Sequence, residues 1–453
     1  MEKTEDFEWV CHPQAEEFIA KILNSCCEKN EFLSSFKTEL IEKTSTRLFD
    51  WVDHIELGGS DVLQNELQQA GFVAEVATPF YRTFFHPAAK LPLIVVKDQS
   101  HPFIAVAILV ESIADFLMVR GESAEIEGSQ LSTFRRACIS KEQGVFVHVV
   151  ERRGAFTMEP TIFRTGEAEL VLQGYENWQT RPRAIDDEEQ EEEEIGQAIT
   201  IAEELVEALG TGLAASIVLD VERKYWQSKN RAGQIQKNRQ DSLGLGWANH
   251  DHHTFRSSRR YFHHLVRLFE VLGFTCRECF YAGREAGWGA QVMEHKQARL
   301  VLFLDVDLSP EEVGIDFAHR PLDDKSDLGT VGLWCALHGE SILKAGMHHL
   351  EAQFIFDKLG QDLTQQGVSM MAPFTNLAYL KQAFTVGDHW PVAPVRIERL
   401  LARGQITKEQ AERFKEHGAL GSHLENLQRN EGYKGFHKKS VSTIIQKTDP
   451  RNS

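Results

Sequence analysis

The chain has 453 residues, 42% hydrophobic and 26% charged, enough for two or three domains with buried cores. A formal net charge of −18 excludes a nucleic-acid binder, because phosphate contacts need clustered Lys and Arg. No apolar run reaches the roughly eighteen residues of a membrane span, and "MEKTEDFEWV" lacks the basic and apolar regions of a signal peptide, so a cytoplasmic protein away from membranes is expected. The seven cysteines (Cys11, Cys26, Cys27, Cys138, Cys276, Cys279 and Cys335) are odd in number and irregularly spaced, which fits reduced thiols rather than a disulfide framework.

In chain order, residues 12 to 45 read as helices, with Phe18, Ile19, Ile22 and Leu23 at helical spacing. From "LFDWVDHIEL" to "VFVHVVERRG" short β-like runs such as "LPLIVVKD" and "HPFIAVAILV" alternate with helical ones. Residues 1–185 therefore form an expected N-terminal α+β domain. The acidic run "DDEEQEEEE", Asp186 to Glu194, reads as an interdomain linker whose carboxylates favour the start of a helix over Ile195 to Leu209. A second helix is expected around Ala214 to Asn230, and residues 186–240 are assigned to linker and connecting helices.

Residues 241–453 carry the chemistry. "NHDHHTFR" is a strand, "SSRRYFHHLVRLFEVLGF" an amphipathic helix that buries Leu265, Leu268, Phe269 and Leu272, and "TCRECFYAG", "WGAQVMEH" and "ARLVLFLDVDL" are three further strands. His263 and His264 fall on the helix. The Cys276/Cys279 pair reads as two thiols on one side of a turn or bulge, since no second CxxC completes a zinc ribbon. The order begins again with the strand "AGMHHLEAQF", the helix "IFDKLGQDLTQQGV" and the strands "LAYLKQAFT" and "SHLENLQR". An α+β fold of paired βαβββ modules follows.

In a strand alternate residues share a face, so His252, Thr254 and Arg256 point one way and His253 and Phe255 the other. In the second unit His349, Glu351 and Gln353 share a face. If the units pair about a pseudo-twofold axis, their first strands bring His252 and His349 together, and Glu425 supplies a carboxylate. Two histidines and one carboxylate with open positions is the ligand set of non-haem Fe(II) oxygenases. The alternative is a pair of polar strands whose histidines bond ordinary neighbours.

These residues also carry a resemblance. "DHHTFR" resembles the Asp-His-x-x-x-Arg first strand of the bacterial 2-oxoadipate dioxygenase/decarboxylase family, and "HHLEAQFIFDKLGQDLTQQGV" its Asn-His-Leu strand and following helix. "LAYLKQAFT" and "HLENLQRNEGYKGF" are similar to the closing strands of 4-hydroxyphenylpyruvate dioxygenase, whose Glu-x-x-Gln-Arg run carries a ligand. Both families belong to the vicinal oxygen chelate superfamily of paired βαβββ modules, and the resemblance covers roughly residues 245 to 440. It implies His252, His349 and Glu425 as metal ligands and Arg256 as the binder of a substrate carboxylate. Gln382, Glu351 and Gln428 are candidates to orient the ligands because they sit on the same expected strands.

The activity implied is that of an Fe(2+)-dependent dioxygenase acting on a small acidic 2-oxo acid with O2. A glyoxalase-type lyase or isomerase using Zn, Mn or Ni, or a non-catalytic metal-binding protein, is the alternative. The chain departs from the pattern in having His348 where Asn is usual. It also has a long insertion, "WPVAPVRIERLLARGQITKEQAERFKEHGALG", expected as two helices over the pocket mouth. "WVDHIEL" with His54 and "VHVVERRG" with Glu151 resemble a worn copy of the same plan in the first half, with a structural role preferred to a second metal site.

Overall fold

The computed structural model describes residues 9–97, 103–183, 186–283, 286–436 and 448–452. Two helices open it, α1 (Pro13–Lys29) and α2 (Glu31–Glu39). Asn30 ends the first and caps the second, its side chain accepting from the Leu33 N–H.

The N-terminal sheet is built from β1 (Val52–Gly58), α3 (Asp61–Gln69), β2 (Val73–Ala77), β3 (Tyr81–Phe85) and β4 (Leu93–Lys97), followed by β5 (Ile104–Leu109), α4 (Ile113–Arg120), β6 (Ile126–Glu127), β7 (Phe134–Glu142) and β8 (Val145–Arg152). Its strand order is β2-β3-β4-β1-β5-β8-β7-β6. Read outward from the centre, β1-β4-β3-β2 and β5-β8-β7-β6 are the same pattern twice. The first half is thus itself a pair of βαβββ modules joined along β1 and β5, as the worn-copy reading expects.

Four helices follow: α5 (Glu167–Thr180), α6 (Glu188–Leu209), α7 (Thr211–Ser228) and α8 (Arg231–Asp241). The acidic run is drawn into structure rather than left as a solvated strap. From Glu188 on the run forms the first turns of α6, an end of the helix that favours negative charge. Glu191 meets Arg396 at 2.6 Å, and Asp186 meets both Arg396 (2.8 Å) and Lys344 (2.7 Å).

The second sheet comes from β9 (His250–Arg256), α9 (Phe262–Val271), β10 (Thr275–Tyr281), β11 (Trp288–His295), β12 (Leu300–Asp307), α10 (Thr330–His338), β13 (His349–Gln353), α11 (Phe356–Gln365), β14 (Thr375–Asn376), β15 (Leu380–Phe384), β16 (Asp388–Trp390), α12 (Pro394–Ala402), α13 (Lys408–His417) and β17 (Ala419–Arg429). The order β10-β11-β12-β9-β13-β17-β15-β14 repeats the N-terminal topology, with β16 paired to β17 off that path. β14 and β16, two and three residues long, are strands too short for hydrophobic alternation to reveal. Among the described residues no helix is long and apolar enough to cross a membrane.

The two faces of the second sheet differ. One packs Phe255, Leu302, Leu304, Leu350 and Leu424 against Leu265 and Phe269 of α9 and the alanine-rich α6 and α7. The strict alternation of β9 puts His253 on that side and leaves His252, Thr254 and Arg256 on the other. The two halves meet at its rim: Ala89 bridges to Tyr433, the His12 N–H donates to the Glu431 carbonyl, and Lys90 pairs with Asp251.

Candidate metal centre

Register brings the ligand candidates together. β9 and β13 run antiparallel with Glu351 opposite His252 and His349 opposite Thr254, and β17 runs parallel to β13 with Glu425 beside Glu351. Ligand atoms of His252, His349 and Glu425 lie within 4.8 Å of one another, and all three residues are buried. His349 Nε2 is 3.2 Å from Glu425 Oε2. Glu351, expected to stand behind the ligands, is nearer than that: its Oε2 touches His252 Nε2 directly. The Gln382 amide donates to both carboxylates, at 3.2 Å to Glu351 and 3.0 Å to Glu425.

Each histidine is held on its other nitrogen. His252 Nδ1 is 3.3 Å from Asp251 Oδ2. Asp251 is fully buried, and Arg429 and Lys90 hold it well below the usual carboxylate range against the upward push of burial. His349 Nδ1 is 2.8 Å from His348 Nδ1, so the unusual His348 is the partner that fixes the ring of its neighbour. Phe303 and Phe436 lie against the His252 ring, and Phe384 against His349.

The electrostatics fit a cation. Burial pushes Glu425 up to about 8 and raises Glu351 well above its usual value, the neighbouring Glu425 adding to the latter. Burial, then Arg256, drives His349 down to about 3, leaving it neutral with a free lone pair. Among the described residues no Lys or Arg hydrogen-bonds either carboxylate. Two buried imidazoles and two uncompensated carboxyls are the donors a divalent metal neutralises.

Arg256 borders the same cavity, 2% exposed. Its Nε lies 3.7 Å from Asp305 Oδ2, and neither Nε nor Nη1 has a hydrogen-bond partner. Burial holds Asp305 up at about 7, opposed by Arg256. Asp305 escaped sequence reasoning, although a lone acid in the apolar run "LVLFLDVD" was a signal, and register sets it directly opposite Arg256.

Other expectations are corrected. Gln428 faces away, its carbonyl oxygen accepting from the Phe356 N–H at the start of α11. The insertion forms two helices, α12 and α13, yet neither lines the metal cavity. Arg396, Arg399 and Arg403 instead border a separate cavity of about 500 Å³. The metal cavity is small, about 60 Å³, and is walled by Phe280, Trp288, Phe303, Phe374, Phe384 and Phe436. Phe436 also borders a wider cavity of about 410 Å³ between the two halves, where Lys90, Arg299 and Lys434 are paired with Asp251, Glu75 and Glu294 and Arg277 and Lys296 also stand on the walls.

In the first half, Glu151 does not approach His54. It accepts from the Ile113 N–H at the start of α4 and pairs with Arg135 and Arg153. By register the places of His349 and Glu425 fall to Ala105 and His148. His54 lies between Asp53 and Glu56, whose charges are met by Arg152 and Lys97.

No family model and no curated protein matches the chain. Solved structures give distant likenesses. A triple variant of 4-hydroxymandelate synthase from Streptomyces coelicolor shares 12% identity over 90% of this chain and 100% of that one, with a TM-score of 0.29. Methylmalonyl-CoA epimerase from Mycobacterium tuberculosis shares 11% over 40% and 88%, at 0.23. A glyoxalase/bleomycin resistance protein/dioxygenase superfamily member from Vibrio splendidus 12B01 shares 12% over 22% and 95%, at 0.17.

Proposed function

We propose that the protein is a metal-dependent dioxygenase of a 2-oxo acid, with Fe(II) held by His252, His349 and Glu425. The observation that carries this is the buried convergence of those three donors beside an arginine with two unpartnered nitrogens. Bound there, Fe(II) would supply activation of O2 in company with a chelating 2-oxo acid, coupled to loss of CO2.

The chain's own residues supply binding and exclusion. Arg256 offers a substrate carboxylate two parallel hydrogen bonds, which lysine cannot reproduce. On a strand its Cα lies roughly 13 Å from that of His252 at about 3.3 Å per residue, which suits an acid with an extended body. Gln382 holds Glu351 and Glu425 in place, and Asp251 and His348 fix the two imidazoles. The aromatic wall keeps water out of a cavity with room for only a few small groups. Phe436 stands between this cavity and the wider one.

One observation favours a second reading. The direct contact of Glu351 with His252 permits a set of two histidines and two carboxylates, which suits a redox-inactive metal and a glyoxalase-type lyase or isomerase. Anaerobic Fe(II) protein mixed with 2-oxo acids and then O2 distinguishes them. O2 uptake matched by CO2 release supports the first reading, and turnover of aldehyde–thiol adducts without O2 supports the second.

A further inference from the structure

The Cys276/Cys279 motif has no part in the centre above, yet it finds company. A bulge between Cys276 and Glu278 in β10 turns both thiols toward the same core. There Cys276 meets Glu270 of α9 and His319 of the loop between β12 and α10. One ligand atom from each of the three lies within 4.8 Å of the others. Cys279 is occupied differently, 3.1 Å from the Gln291 side-chain oxygen.

The orientation of His319 is informative. Both Asp316 oxygens approach its Nδ1, at 2.8 and 2.9 Å, while Nε2 faces Glu270 Oε1 at 2.9 Å. Asp316 thus accepts a hydrogen bond from the Nδ1–H, as a carboxylate does behind a metal-bound histidine. The Nε2 lone pair of a neutral ring then confronts a carboxylate oxygen, an arrangement that needs a cation between them. A proton is one such cation. The thiol beside the pair makes a borderline-soft metal the other.

We propose that Glu270, Cys276 and His319 form a second divalent-metal site, of zinc type, on the surface of the C-terminal half. A thiolate, an imidazole and a carboxylate together select Zn2+ over Mg2+ or Ca2+. Zn–S near 2.3 Å and Zn–N or Zn–O near 2.0–2.2 Å put tetrahedral ligand atoms about 3.3–3.6 Å apart. The side chains of Glu270 and His319, 40% and 43% exposed, have room to open their 2.9 Å contact and settle around an ion beside Cys276. Without metal the Cys276 thiol is inert, held up at about 12 by burial and by Glu270. Bound metal would deprotonate it. Water completes the coordination, and the ion ties the β12–α10 loop to α9 and β10.

Co2+ added anaerobically to the full-length protein tests this. Thiolate-to-cobalt charge-transfer absorption reports this site alone, because no thiol lines the other centre. The expected result is a band that saturates at one Co2+ per chain, is displaced by Zn2+, and persists in His252→Ala and Cys279→Ser. Cys276→Ser should abolish it with the thermal melt of the metal-free protein unchanged. The exposed Asp316→Asn should weaken binding about 10–100-fold. Absence of the band in the wild type would leave a proton as the cation and overturn the proposal. A band that survives Cys276→Ser, or that follows Cys279 instead, would also overturn it.

Discussion

Replacing Arg256 by Met removes a charge and keeps most of the stem, so two effects separate cleanly. The first is on substrate. A charge-assisted pair in a desolvated pocket is worth about 2–5 kcal/mol, or roughly 30-fold to a few thousand-fold in affinity for a 2-oxo acid, with bound metal unchanged. Arg256→Lys should fall between. The second effect is on folding, through Asp305. Its folded value near 7 lies above an unfolded value of about 3.9, so the folded state binds the extra proton. Stability from this group is full at low pH and is lost as pH rises through that window. Arg256 is the group that opposes the rise. At pH 5 Asp305 is protonated with or without it, and the variant should melt close to wild type. At pH 8 the variant must either bury a carboxylate with no cation or keep Asp305 protonated, and the second route caps the loss through this group at about 1–1.5 kcal/mol. Isothermal titration with anaerobic metal-loaded protein, and thermal melts of metal-free protein at both pH values, read the two effects. An equal melting shift at pH 5 and pH 8, with unchanged affinity for every acid tried, would refute the reasoning.

His252→Ala, His349→Ala and Glu425→Ala should each lose bound metal while staying folded, and His253→Ala, on the helix-packed face, should keep it; metal analysis after desalting reads both. Gln382→Leu removes the amide that steadies both carboxylates and should weaken metal binding about 10–100-fold, measured by competition with a chelator. Arg396→Ala removes one partner each of Asp186 and Glu191 and should destabilise the fold by about 3–5 kcal/mol in denaturant melts, leaving metal content as in wild type.

Much of the C-terminal half was legible because β-strand periodicity is strict. Once "DHHTFR" and "HHLEAQ" were strands, the faces of His252 and His349 followed, and the repeated strand order supplied their pairing. The same periodicity places Gln428 opposite Glu425, three residues along one strand, so its exclusion was there to be read. The first half hid its modules because "IAVAIL" carries no polar residue at the place where β13 carries His349. Local sequence also cannot tell on which side of a sheet a helical insertion will fold. α12 and α13 went to the face of α10, where Ile397, Leu400 and Phe414 pack on Leu333 and Leu337, and not to the pocket mouth. Direct contact of Glu351 with His252, and of His348 with His349, depends on register between strands about a hundred residues apart or on rotamers. Neither is written in a motif.

The most direct test of the central claim is the stoichiometry of gas exchange by anaerobically reconstituted Fe(II) protein, offered a panel of 2-oxo acids and then a measured pulse of O2. The account predicts one CO2 released per O2 consumed with at least one acid, and neither gas exchanged by Glu425→Ala. CO2 release that continues without O2, or no O2 uptake by iron-loaded protein with any 2-oxo acid, would contradict it.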